Sequence, residues 1–483
     1  MTSIISLLTP SQISYLTTTQ ISHLGTADVA ALSTLQAADL TTAQIGAITV
    51  ADIVSLSTAA LAVLSTLQVD AITTADVAAL KTTQIAALTT TQIPNITTGQ
   101  LAALSYTQIA ALTPTQASSG LSTTQIGLLS TIQASALSTS ALAVLSGTQI
   151  GSFSTTAVAA LTTRQIAVLT TTQVASGLTT TEVASLTTAQ VAALTTADVS
   201  VLTTFQVGQL STADIAALKT SQIANLTTAD VATLSTTQVG SLTAAQIAAL
   251  STTQVASGLT TTQVGALSTV QAAALTTSAV ANLSTSQIAA LSTAAVGALT
   301  AAQIATLSTT QVASGLTTSQ IAALGTVQAA ALTTSAIANL TTAQVGQIST
   351  ADIAALKTSQ VAALTTTDVA TLSTTQIASV STAQIAALST TQVATGLTTT
   401  QIAALSTRQV SALTPAGFGQ LSTAQLAQLS STDVTVLTTS QLGQLDTVQV
   451  QSLSTTQIAA LSTTQVAIVA ADLSSTQIPY IQI

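Results

Sequence analysis

Aliphatic residues return along this chain in a fixed eight-residue frame. Counted from its leucine as place 1, the octad has Ser or Thr at place 2, mostly Thr at place 3 and a variable place 4. Gln dominates place 5, Ile or Val place 6, and Ala places 7 and 8, as in Leu186 to Ala193. Place 6 and the following place 1 are i, i+3 neighbours, which a helix sets on one face. Places 1 and 6 differ in parity, so one strand would send them to opposite faces. The spacing therefore predicts an all-α solenoid of very short capped helices, one per octad, running from about place 3 to place 8. Helices of that length are unstable alone and need neighbouring turns to pack against. A β-solenoid is the alternative, favoured by the abundant Thr, Ile and Val.

The polar places supply the helix ends. Ser/Thr at place 2 followed three residues later by Gln is a capping box, in which the hydroxyl satisfies one free backbone N–H and the amide another. The aliphatics at places 1 and 6 flank the box as a hydrophobic staple. Proline tests this register: Pro10, Pro114 and Pro415 occupy place 3, the first helical position, where a missing N–H costs nothing. Acids test it too, because carboxylates favour the first turn. Asp28, Asp52, Asp76, Glu182, Asp198, Asp214, Asp230, Asp352, Asp368 and Asp433 stand at place 5, and Asp446 is at the cap itself. Phe153 at place 1 and Phe418 at place 6 fit a core-facing reading. Tyr106 and Phe205, at places 3 and 4, depart from it, and Pro94 and Pro479 at place 7 each remove a donor inside the helix. The register places Leu and Ile/Val inward, lets Ala permit close helix approach, and turns Ser, Thr and Gln outward.

A longer period overlies the octad. Five units carry an extra residue, so that Gly120, Gly177, Gly258, Gly315 and Gly396 precede the next Leu, at spacings of 57, 81, 57 and 81 residues. Lys81, Lys219 and Lys357 recur every 138 residues, each five residues after Asp76, Asp214 or Asp352. The chain thus reads as one elongated solenoid over 1–483. Superrepeats span approximately 121–258 and 259–396, with partial copies over 8–120 and 397–483. A Gly just after a helix commonly takes a left-handed conformation, so these five are expected to close their helices differently and bend the stack. The recurrent Lys and Asp are candidates for ion pairs that set register between turns or chains. Inherited duplication with a solvated lysine is the simpler reading.

Composition narrows function. Charged residues make up 4% of the chain against roughly 25% in ordinary soluble domains, cysteine and tryptophan are absent, and His23 is the single histidine. Hydroxyl nucleophiles have no base beside them, so no catalytic constellation can be assembled, and no cofactor or metal motif is found. The net charge of −9 comes from scattered residues with no basic cluster, which argues against nucleic acid. Every octad interrupts its apolar run with polar residues, so no transmembrane segment is expected. The start, Met1 to Pro10, lacks the basic region of a secretory signal.

Leu112-Thr113-Pro114-Thr115-Gln116 resembles the helix opening of TAL-effector repeats, but the repeat length, base-reading loop and positive charge of that family are missing, so DNA binding does not carry over. The pattern Leu-Thr-Thr-x-Gln-Ile-Ala-Ala is similar to low-complexity repeats of large bacterial surface and secreted proteins, a resemblance that implies an extracellular or cell-surface structural role. Solenoids usually end in polar capping repeats. Here the apolar Ile4 to Leu8 and Ile478 to Ile483 stand at the two ends, which leads us to expect head-to-tail or lateral self-association. A binding scaffold for a protein or glycan, and an ice-binding array of threonines, are the other function classes the sequence admits.

Overall fold

Two extended residues separate each helix from the next, and they set the whole architecture. In the computed structural model, which describes residues 3–481, the helix Thr188–Ala193 begins after Thr187 (φ −76°, ψ 157°) and stops at Leu194 (φ −53°, ψ 142°). Place 2 is therefore the N-cap, place 3 the first helical residue and, in helices of this length, place 1 the C-cap. Where a helix is six residues long it covers places 3 to 8, as the spacing predicts; others stop after four or five, as Thr163–Ile166 does. None of the described residues lies in a strand, which removes the β-solenoid alternative.

The caps form as read. Thr187 Oγ1 accepts from the Gln190 N–H at 3.3 Å, and Gln190 Oε1 accepts from the Thr187 N–H at 2.7 Å. Pro10 and Pro415 occupy the first helical position, and Asp446 accepts from the Gln449 N–H as a cap. At Pro94 and Pro479 the lost place 7 donor has a visible consequence. The α-helix is replaced by the short 3-10 turns Ile93–Asn95 and Ile478–Tyr480, so both departures are local.

The helices divide into two compact units, Met1–Ser241 and Leu242–Ile483. Within the first, Thr131–Ala136 packs on Thr155–Ala160, that helix on Thr180–Ser185, that on Thr204–Gln209 and that on Thr228–Thr233. Within the second, Thr269–Ala274 packs on Thr293–Ala298, and Thr318–Ala322 on Thr342–Val345. Each helix thus rests on the one three octads away, so three octads complete a turn and each unit has three walls. Places 1 and 6 fill the interior: Leu186, Val191 and Leu194 are buried, as are Phe153 and the fully enclosed Phe418. Tyr106 and Phe205 point to solvent.

Two expectations need correction. The five extra glycines are not left-handed, because no glycine among the described residues has a positive φ. The added residue is taken up as a π-turn, Gln173–Gly177 for example, closed by the Leu178 N–H on the Gln173 carbonyl at 2.9 Å. The neighbouring turn leaves little room there: a Cβ on Gly177 would lie 3.1 Å from both the Gly147 carbonyl oxygen and Ile150 Cβ, and the neighbours would have to shift. Nor does place 5 glutamine face outward. Gln190, Gln222 and Gln384 are buried, so places 1, 5 and 6 all point in.

Candidate functional site

The buried glutamines form a polar device that repeats within each unit. Within a unit such a glutamine keeps its Oε1 on the N-cap amide of its own helix and sends its Nε2 to the turn before. Gln44 Nε2 donates to the Ile13 carbonyl at 2.8 Å and to the Leu16 carbonyl at 2.7 Å. Gln190 does the same to Val158 and Leu161, at 2.8 and 2.7 Å, and Gln384 to Ile353 and Leu356, at 2.9 and 2.7 Å.

The acceptors are in nearly every case the place 1 carbonyl that follows a helix and the place 6 carbonyl before it, which also takes the N–H of that place 1 residue; both lie at the helix C-terminus, where intrahelical donors run out. A buried amide thus satisfies the start of one helix and the end of another, in a region where an unmet polar group costs about 1–3 kcal/mol. The ladder skips octads with Ala at place 5, such as Ala60, Ala157 and Ala295, which retain the hydroxyl cap alone.

Acids occupy this same position without a donor to offer. In Asp198 one oxygen accepts the Thr195 N–H at 2.9 Å and hydroxyl at 2.6 Å, completing the cap but sending nothing to the preceding turn. At Asp76 and Glu182 the outer oxygen, Oδ1 and Oε1 respectively, is buried with no hydrogen-bond partner. Burial pushes the Glu182 carboxyl above the usual carboxylate range, against the opposing pull of the Thr179 N–H and hydroxyl.

The recurrent Lys and Asp fall at different depths. Asp76, Asp214 and Asp352 are buried and bonded to the cap hydroxyls of Thr73, Ser211 and Ser349, whereas Lys81, Lys219 and Lys357 are exposed. Each lysine leaves its cap half-made, with only the glutamine acceptor, as in Lys219 N–H to Gln222 Oε1 at 2.7 Å. Seventeen units separate Lys81 from Lys219, which is not a multiple of three, so they lie on different walls of the first unit.

The extra glycines are spread in the same way: Gly120 and Gly177 fall on different walls of the first unit, and Gly258, Gly315 and Gly396 on all three of the second. His23 is exposed, its Nδ1 2.6 Å from the Thr19 carbonyl oxygen of its own helix.

Two small voids lie inside the second unit, one lined by Ile321, Leu332, Leu356 and the buried Asp352, the other by Val361, Leu372 and Leu388; each holds about 10 Å³, the size of a water. Among the described residues no group of three metal-ligating side chains occurs, and no helix is long and apolar enough to cross a membrane.

Fold and site together define a class: a helical solenoid whose turns are joined by a repeating buried glutamine. The chain belongs to the ALTTAQ repeat family, whose model matches nine times, at residues 21–58, 45–82, 69–106, 77–114, 191–228, 224–257, 280–314, 337–366 and 361–395, together more than half of the sequence. No curated protein matches it. Among solved structures, the leucine-rich repeat-containing protein LegL7 from Legionella pneumophila is similar over 54% of this chain and 80% of its own, at 14% identity and a TM-score of 0.16.

Proposed function

We propose that this is a non-enzymatic structural protein that assembles with copies of itself, head to tail or side by side, into a fibre, sheath or spacer at or outside the cell surface. The observation that carries the reading is the polarity of the ladder. Turns offer glutamine amides on one side, at least one per three octads, and carbonyls on the other, so one turn can dock on another in the same sense.

Gln12 and Gln20 close their own boxes, yet they are exposed, whereas the place 5 glutamines from Gln36 onward are buried. A turn from a second copy would supply the carbonyls they lack. The outer places are Ser, Thr and Ala with few charges, so side-by-side contact meets little repulsion. Against catalysis stand the carboxylates, most of them committed to caps, and an imidazole bonded to its own helix.

Sedimentation and negative-stain microscopy of the purified chain test the proposal. Polymers should form at micromolar concentration and shorten when Gln12 and Gln20 are both changed to Ala. A monodisperse monomer across that range would overturn it and favour a binding scaffold instead.

A further inference from the structure

Glu182 is the only glutamate in the chain, and it stands where the ladder needs a donor. Its Oε2 accepts the Thr179 N–H at 2.6 Å, as the Oε1 of a glutamine would. Its Oε1, in the place of the amide nitrogen, is buried and unpartnered. The superrepeat supplies a comparison within the same molecule, because Gln320 lies 138 residues later in the equivalent octad. Gln320 Nε2 donates to the Ile288 and Leu291 carbonyls at 2.9 and 2.7 Å. Counted the same way, the carbonyls below Glu182 are those of Ile150 and Phe153. An ionised carboxylate there would set oxygen against oxygen in a dry interior, and no cation is at hand. The helices packed against Thr180–Ser185 are Thr155–Ala160 and Thr204–Gln209, and the strip beneath its side chain is 147–153. None of these contains a titratable or charged residue.

We propose that Glu182 keeps its proton in the folded protein and donates it from Oε1 to the Ile150 and Phe153 carbonyls, making a rung that opens when the carboxyl ionises. The group is then a proton-operated clip beside the π-turn Gln173–Gly177. It joins two turns in acid and sets a buried charge against carbonyl oxygens when the proton leaves. The direction follows from linkage. A carboxyl that holds its proton more tightly folded than unfolded contributes its full stabilisation below the ordinary glutamate range. That contribution is lost as pH rises through the raised folded value.

Because there is a single glutamate, selective ¹³C labelling of Glu gives one carboxyl resonance, readable in solution or in a sedimented assembly. Its midpoint in the folded protein should lie above that of the same protein unfolded in urea. A midpoint at or below the unfolded one overturns the proposal. Melting of Glu182→Gln against the parent chain gives a second reading that does not depend on the label. The variant should match the parent near about pH 4 and melt higher near about pH 8. A difference independent of pH, or one of opposite sign, overturns the clip.

Discussion

Changing Gln190 to Ala separates two roles that glutamine could have at place 5. If the side chain only completes a capping box, its loss costs about 1 kcal/mol, the usual value of a cap. The structure requires more. Gln190 Nε2 donates to Val158 and Leu161, and its Oε1 accepts from Thr187, all at 2.7 to 2.8 Å and in or beside the core. Two buried donations lost at about 1 kcal/mol each, with an amide left short of its acceptor for about as much again, total roughly 3 kcal/mol.

Repeat stability sums over neighbours, so the loss should stay local. It should appear as roughly hundredfold faster amide exchange in the helices Thr155–Ala160 and Thr188–Ala193, against roughly fivefold for a cap alone. Hydrogen exchange read by mass spectrometry gives the comparison, with Gln209→Ala as the control. Gln209 is exposed at place 8 and has no ladder partner, so its exchange pattern should not move. Equal, small effects of the two substitutions would refute the ladder as a stabilising element.

Gly177→Ala should lower the melting temperature, costing about 1–3 kcal/mol as overpacking against Gly147 and Ile150. Gly208→Ala, inside the helix Thr204–Gln209 with open space around it, should raise stability by about 0.5–1 kcal/mol. Lys219→Thr restores the missing cap hydroxyl and should add about 1 kcal/mol in a thermal melt. Polymer formation should be unchanged by it, and a loss of assembly would instead establish a register role for that lysine.

The octad frame, read without any structure, already contained the helix. Thr187 and Gln190 show why: three residues apart, they can only meet across a first turn, so the box, its cap and the flanking Leu186 and Val191 follow from local geometry. The same logic placed Pro10, Pro415, Asp446 and the buried Phe153 and Phe418. The inward turn of glutamine was not legible, because a capping box leaves the Nε2 free and solvent is its ordinary partner. A separation of 24 to 32 residues between Gln Nε2 and its carbonyls becomes visible only once three octads are known to close a turn.

The extra glycines divide along the same line. Their spacing was open to inspection, but the choice of a π-turn over a left-handed cap was not, because it depends on Ile150 and Gly147 of the turn below. Sequence alone determined what each octad does within its own eight residues, since hydroxyl, amide and aliphatic act there at fixed separations along the backbone. Tertiary structure decided how many octads make a turn, where the glutamine amides find their carbonyls and which glycines leave little room for a Cβ. Those outcomes depend on groups brought together by stacking, and no local rule specifies the stack.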